Sequence, residues 1–122
     1  MEALRTLLFV PGNRSNFIEK ARSLPADVLC LDLEDSVPFA EKAAARELVK
    51  GCLKGLALKG QRVYVRINSS STGLHLDDLE AVVCKSLDGI SVGKAESADE
   101  MIELDIIIGM LERARGLEPG HT

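Results

Sequence analysis

The 122-residue chain has no block of basic residues, no apolar run near the ~18 residues that a membrane-spanning helix needs, and only two histidines. These absences argue against a nucleic-acid surface, a helical membrane span and a zinc site completed by histidines. A net charge of −4 adds nothing that would draw it to a polyanion or a membrane surface. Three cysteines, Cys30, Cys52 and Cys84, stand far apart without a CxxC pair, so they read as small core residues in a reducing compartment. The start Met1-Glu2-Ala3-Leu4-Arg5 lacks the basic-then-apolar pattern of a secretory leader, which makes the cytoplasm the expected location.

What is present is the composition of one globular domain over residues 1–122, with 46% apolar and 28% charged residues. Short apolar runs alternate with segments of helical period, the pattern of βα units around a parallel sheet. Four units are expected. The first joins a strand at 7–10, closed by Pro11-Gly12, to a helix at about 15–22. The second joins 28–33 to a helix over about 37–56, in which Pro38 marks the first turn and Ala40, Ala44, Leu48 and Cys52 make an apolar stripe. The third strand, 62–67, is followed by a polar loop at 68–73 that suits a ligand lid, and by a short helix at 77–84. After a fourth strand at 89–92, Ser97-Ala98-Asp99-Glu100 matches a capping box, opening a helix that buries Met101, Leu104, Ile108 and Leu111 and ends near Gly116. Four such units are the N-terminal half of a (β/α)8 barrel. They could also close as a small open sheet, but no strand is blunted by lysines or bulges, which favours the partial barrel.

Chemistry concentrates at the tip of the second strand, Leu29-Cys30-Leu31-Asp32-Leu33-Glu34-Asp35, where three carboxylates fall within four residues. Acids at the end of a buried run need a metal, an arginine or water. Side chains two apart share a strand face, so Cys30, Asp32 and Glu34 are expected to face the barrel axis while the leucines meet the helices. In the third strand Tyr64, Arg66 and Asn68 are expected to point inward. Arg66 and Glu34 are then predicted to meet at the C-terminal rim, where barrel enzymes keep their active sites. A structural ion pair would satisfy the same pattern. Pro11-Gly12-Asn13-Arg14 lies where a glycine turn and free helix N–H groups favour an anion, and Arg14 and Lys20 could border a rim groove, although a solvated helix surface accounts for both. Lys94 reads as structural, and His75 and His121 have no partner at ligand spacing.

Together these residues carry a resemblance. Leu7-Leu8-Phe9-Val10-Pro11-Gly12-Asn13-Arg14, Leu31-Asp32-Leu33-Glu34-Asp35-Ser36-Val37 and Val65-Arg66-Ile67-Asn68 resemble the citrate lyase β-subunit and malyl-CoA lyase family, with further agreement at Lys42, Arg46 and Lys94-Ala95-Glu96-Ser97. The resemblance implies a (β/α)8 barrel in trimers or hexamers, with Mg2+ as cofactor. It implies cleavage of a citryl, malyl or citramalyl thioester, carried on CoA or an acyl carrier, into an oxo acid and an acyl thioester. By position, Arg66 would hold the oxo-acid carboxylate, Glu34 and Asp35 would support the metal and its waters, and Phe9, Arg14 and Lys20 would border the CoA or substrate site. The family's direct Mg2+ ligands follow the fifth and sixth strands, so none is assigned within residues 1–122, and these residues alone are expected to be inactive. Gly93 stands where the family usually has proline. A different expectation is a non-catalytic half barrel that pairs with another chain through its open strand edges.

Overall fold

Strand order separates a barrel arc from an open doubly wound sheet, because the latter reverses direction at a switch point and the former does not. In the computed structural model, which describes residues 6–57, 61–93 and 97–122, the order is the sequential one. Strands β1 (Leu7–Pro11), β2 (Val28–Asp32), β3 (Arg62–Ile67) and β4 (Gly89–Val92) pair in parallel, each with the next. Helices α1 (Ser15–Ala21), α2 (Lys42–Ala57), α3 (His75–Val82) and α4 (Ala98–Ala114) follow them in turn. Lys94, Ala95 and Glu96 lie outside the described residues, so the expectations placed on them do too.

Alternation along each strand builds two unlike faces. Val10, Leu29, Leu31, Val63, Val65 and Ile67 are buried with Ile18 and Ala21 of α1, Val49 and Leu53 of α2, and Leu79 and Val82 of α3 in one apolar core. Each fully buried leucine there contributes about 1.5–3 kcal/mol. The opposite face is layered by register: Phe9, Cys30, Tyr64 and Gly89 form one row, and Pro11, Asp32, Arg66 and Ser91 the next. Both rows face away from the helices, as the strand pattern predicts.

Local departures have local causes. Pro38 is extended, a 3-10 turn occupies Phe39–Glu41, and α2 begins only at Lys42. The buried stripe of α2 is Ala45, Val49, Leu53 and Leu56; of the expected set Leu48 and Cys52 pack half-buried at its edge, while Ala40 and Ala44 are exposed. Helix α3 starts at His75, two residues before the expected 77. In α4 Leu104 is buried, but Met101 is 45% exposed beside Ile102, Ile106 and Met110, because the described elements cover only one side of that helix. The capping box is half used as expected: Ser97 Oγ accepts from the Glu100 N–H at 3.2 Å, while the Glu100 carboxylate accepts from Ser70 Oγ at 2.6 Å. The fourth helix is thereby tied to the polar loop after β3.

Candidate active site

At the C-terminal end of β2 the backbone is held from three sides. The Gly12 N–H donates to Asp32 O at 2.8 Å, and a Cβ on Gly12 would stand 2.6 Å from that oxygen, so only glycine lets the β1–α1 turn lie on the strand tip. Leu33 N–H donates to Arg66 O at 2.9 Å. Lys42 Nζ donates to Leu33 O at 3.0 Å and Glu34 O at 2.8 Å, which fixes the loop carrying the acids.

On this frame Arg66 makes a fork with Asp32, Nε to Oδ1 at 2.9 Å and Nη2 to Oδ2 at 2.6 Å. Asp32 also accepts from the N–H groups of Glu34 and Ser36, at 2.8 and 3.0 Å, and from Ser36 Oγ at 2.7 Å. Burial alone would raise its carboxyl, but the donors from Arg66, Ser36 and the Glu34 backbone outweigh it and hold the group well below the ordinary carboxylate range. The bond to Asp32 correspondingly lifts Arg66 above its usual value, with Glu34 and Asp35 adding to the effect. Cys30, one row deeper, is pushed by burial up to about 11, against a partial pull from Arg66, and stays a neutral thiol.

Glu34 stands 3.6 Å from Arg66 Nε, an ion pair without a hydrogen bond, and its buried Oε1 has no donor among the described residues. The Phe9 ring lies under the guanidinium, 4.7 Å from centroid to Cζ. Two bonds to Asp32 leave Arg66 Nη1 donating to no described residue. The result is a clamped guanidinium with one free edge, next to a buried carboxylate that lacks a donor. Such a pair can receive a carboxylate and a proton-bearing group side by side.

The remaining candidates lie further out. Asp35 is exposed and acts on Arg66 through its charge. Lys20 is exposed and shares a shallow hollow of about 280 Å³ with Phe9, Phe17 and Leu24. Arg14 is exposed at the start of α1 and makes no side-chain cap bond there. Asn68 departs from the expected inward position: its N–H and Nδ2 both donate to Asp78 Oδ2, at 2.9 and 2.7 Å, so it is drawn under α3. Arg46 Nε donates to the same Asp78 carboxylate at 3.0 Å. The partner that sequence reasoning underrated is Asp32. Its signal was available, since Asp32 is the β2 residue directly in register with Arg66.

Among the described residues no group of three or more histidine, cysteine or acidic side chains is placed to hold a metal ion. The oxygens of Asp32 are already committed to five donors. That leaves Glu34 Oε1 without a donor, and one carboxylate oxygen does not complete a Mg2+ shell.

The sequence profile of the HpcH/HpaI aldolase/citrate lyase family matches residues 5–122. Citrate lyase subunit beta of Escherichia coli K12 is 36% identical over 97% of this chain, which spans 39% of that protein's length. The structure of protein CitE from Mycobacterium tuberculosis, in complex with magnesium, acetoacetate and coenzyme A, is 38% identical with a TM-score of 0.66, over 80% of this chain and 35% of that one. A Haloferax volcanii malate synthase, crystallised as a magnesium/glyoxylate complex, is only 14% identical yet superposes with a TM-score of 0.84 over 95% of this chain and 40% of its own, a likeness of fold.

Proposed function

This chain belongs to the HpcH/HpaI aldolase/citrate lyase family, and on that premise we propose that it forms the oxo-acid-binding wall of a Mg2+-dependent carbon–carbon lyase. The substrate is a β-hydroxyacyl thioester of the citryl, malyl or citramalyl type, on CoA or an acyl carrier. The observation that carries this reading is the Arg66 fork to Asp32, which leaves Nη1 without a described acceptor, while Glu34 Oε1 stands buried and without a donor 3.6 Å from Nε at the barrel rim. Magnesium complexes of the related CitE and of the similarly folded malate synthase support the choice of cation.

In the cleavage the bond between the carbinol carbon and the thioester α-carbon breaks. Its electron pair passes to the thioester as an enolate, the hydroxyl proton is released to water as the oxo acid departs, and the enolate carbon takes a proton from water to give the acyl thioester. A bound divalent cation would supply charge stabilisation at the oxygen that becomes the carbonyl. Arg66 holds the carboxylate of the departing oxo acid through Nη1, and Asp32 keeps the guanidinium plane from turning. Glu34 accepts a hydrogen bond from the hydroxyl side of the substrate or from cation-bound water, and Asp35 supports that shell from the rim. Phe9, with Arg14 and Lys20 farther along β1 and α1, borders the thioester arm. On this reading residues 1–122 by themselves bind an oxo acid without cleaving the thioester, since the family resemblance places the direct Mg2+ ligands after the fifth and sixth strands.

The test is titration of residues 1–122 with pyruvate in MgCl2, beside assays of oxo-acid release from malyl-CoA, citramalyl-CoA and a citryl thioester. Saturable pyruvate binding that weakens at least tenfold in Arg66→Lys, with none of the three thioesters cleaved, supports the reading. No binding, binding indifferent to Arg66→Lys, or cleavage by residues 1–122 alone contradicts it.

One further observation favours assembly beside catalysis: Leu7, Phe9, Phe17 and Leu24 are 40–48% exposed along the β1 side of the sheet. Pairing there, into the trimers or hexamers the family resemblance implies or with a separate chain, would cover them. Sedimentation as a monomer at all accessible concentrations would contradict it.

A further inference from the structure

The inner face of β4 is nearly bare. Strand parity puts Gly89 and Ser91 on the side of Arg66, with Gly93 next in phase, so Ser91 bears the one side chain of that stripe. Its surroundings are nonetheless occupied. The Tyr64 ring lies over Gly89, Cε1 standing 2.8 Å and Cζ 3.0 Å from where a Cβ would be, and Glu34 Oε1 comes within 2.7 Å of the same point at Gly93. Arg66 is the register neighbour of Ser91, but its guanidinium is turned to Asp32 on the far side. Ser91 therefore stands in a notch with an aromatic floor, a carboxylate above it and an arginine across from it.

Two groups in this notch are unspent. Glu34 is 6% exposed and its Oε1 has no donor among the described residues. Ser91 is half-buried, and its hydroxyl makes no hydrogen bond to any described residue. Same-face positions two apart on a strand are separated by about 6.6 Å. One oxygen atom bonded to both groups spans about 5.5 Å, which suits that separation. Such an atom has to donate to Glu34 and accept from Ser91. A hydroxyl does both, whereas a keto oxygen cannot donate.

We propose that Ser91 is a further binding residue of the site: its hydroxyl donates to the alcohol oxygen of a 2-hydroxycarboxylate whose carboxylate lies on Arg66 and whose hydroxyl proton is given to Glu34 Oε1. This rests on the reading of Arg66 as the holder of the carboxylate. It adds the form of ligand that these residues select, the hydroxy acid present before cleavage, through contacts on both sides of its alcohol oxygen.

The experiment crosses a change in the protein with a change in the ligand. Lactate of each hand, which carries the alcohol, and propionate, which lacks it, are titrated in MgCl2 against wild type, Ser91→Ala, Ser91→Thr and Arg66→Lys, with affinities read from the ligand methyl resonances. One hand of lactate should bind wild type at least fivefold more tightly than propionate. Ser91→Ala should weaken that lactate about tenfold and propionate by less than twofold, and Ser91→Thr, which keeps a hydroxyl, should hold lactate within threefold of wild type. Equal weakening of both acids by Ser91→Ala, lactate indifferent to it, or no binding of either acid would overturn the proposal. If Arg66→Lys weakens both acids tenfold while Ser91→Ala weakens neither, the role of Ser91 falls and the carboxylate reading stands. If Ser91→Ala discriminates as expected while Arg66→Lys changes nothing, the contact with Ser91 is supported and the carboxylate reading falls.

Discussion

Two buried arginine–aspartate pairs serve this chain in opposite ways. On the outer side, Arg46 of α2 reaches Asp78 of α3 at 3.0 Å, and Asp78 spends its other oxygen on Asn68 at the exit of β3. The pair joins two helices to a strand end, with Arg46 bonded to the described residues through Nε alone. On the inner face Arg66 and Asp32 are neighbours in register, and Asp32 is held by more donors still. Arg66 is held through Nε and Nη2 where Arg46 is held through Nε alone, its side chain is 20% exposed against 13% for Arg46, and a second acid waits 3.6 Å away. A buried ion pair by itself says nothing about function. What separates the two is the unspent acceptor of Glu34, buried beside the Arg66 guanidinium.

The comparison breaks first if removing the acids has the wrong order of cost. Asp78→Ala strands Arg46 in an enclosed place and frees Asn68, and should lower stability by about 3–5 kcal/mol in urea unfolding. Asp32→Ala should cost less, about 2–4 kcal/mol, because Glu34 stands ready to take over part of the charge of Arg66. The reverse order would mean that the inner pair is the structural one.

A second effect is expected in acid. The Asp32 carboxyl lies below the ordinary range in the folded state, so the unfolded chain takes up its proton first as the pH falls. The stability from this group is complete above the unfolded value of ~3.9 and is lost as the pH drops from there toward the folded value. Urea midpoints followed from pH 5 to pH 2.5 should fall more steeply for wild type than for Asp32→Asn. Parallel curves would show that the fork to Arg66 does not hold the ionised form.

The smallest change in stability belongs to Glu34. Its Oε1 forms no hydrogen bond, so Glu34→Gln should alter the urea midpoint by no more than about 1 kcal/mol of stability in either direction. Pyruvate affinity in MgCl2 should nevertheless fall about tenfold, since the lost charge serves the ligand. A large destabilisation with unchanged affinity would move Glu34 to the structural side of the comparison.

Much of this was readable from sequence because period-two alternation fixes which strand residues share a face. It placed Asp32, Glu34, Tyr64 and Arg66 together without any contact information. The sequential strand order and the Phe9 and Arg66 neighbourhood agree with that reading. Alternation alone does not rank partners, however. Asp32 prevails over Glu34 because it lies in register with Arg66 and is presented by the donors of Ser36, details of backbone pairing. Helical stripes were less legible. The stripe of α2 runs one residue on from the expected one, with Val49 and Leu53 buried and Leu48 and Cys52 at its edge, and the exposure of Met101 depends on which neighbours cover α4. Asn68 followed Asp78 rather than strand parity, because the strand had already ended at Ile67.

The contrast between the two arginines can be measured in a single sample. In 15N-arginine-labelled protein, titration with pyruvate in MgCl2 should move the side-chain resonances of Arg66 in a saturable way and leave those of Arg46 in place. Stationary Arg66 resonances, or equal movement of both arginines, would contradict the assignment of the inner pair as the ligand-receiving one.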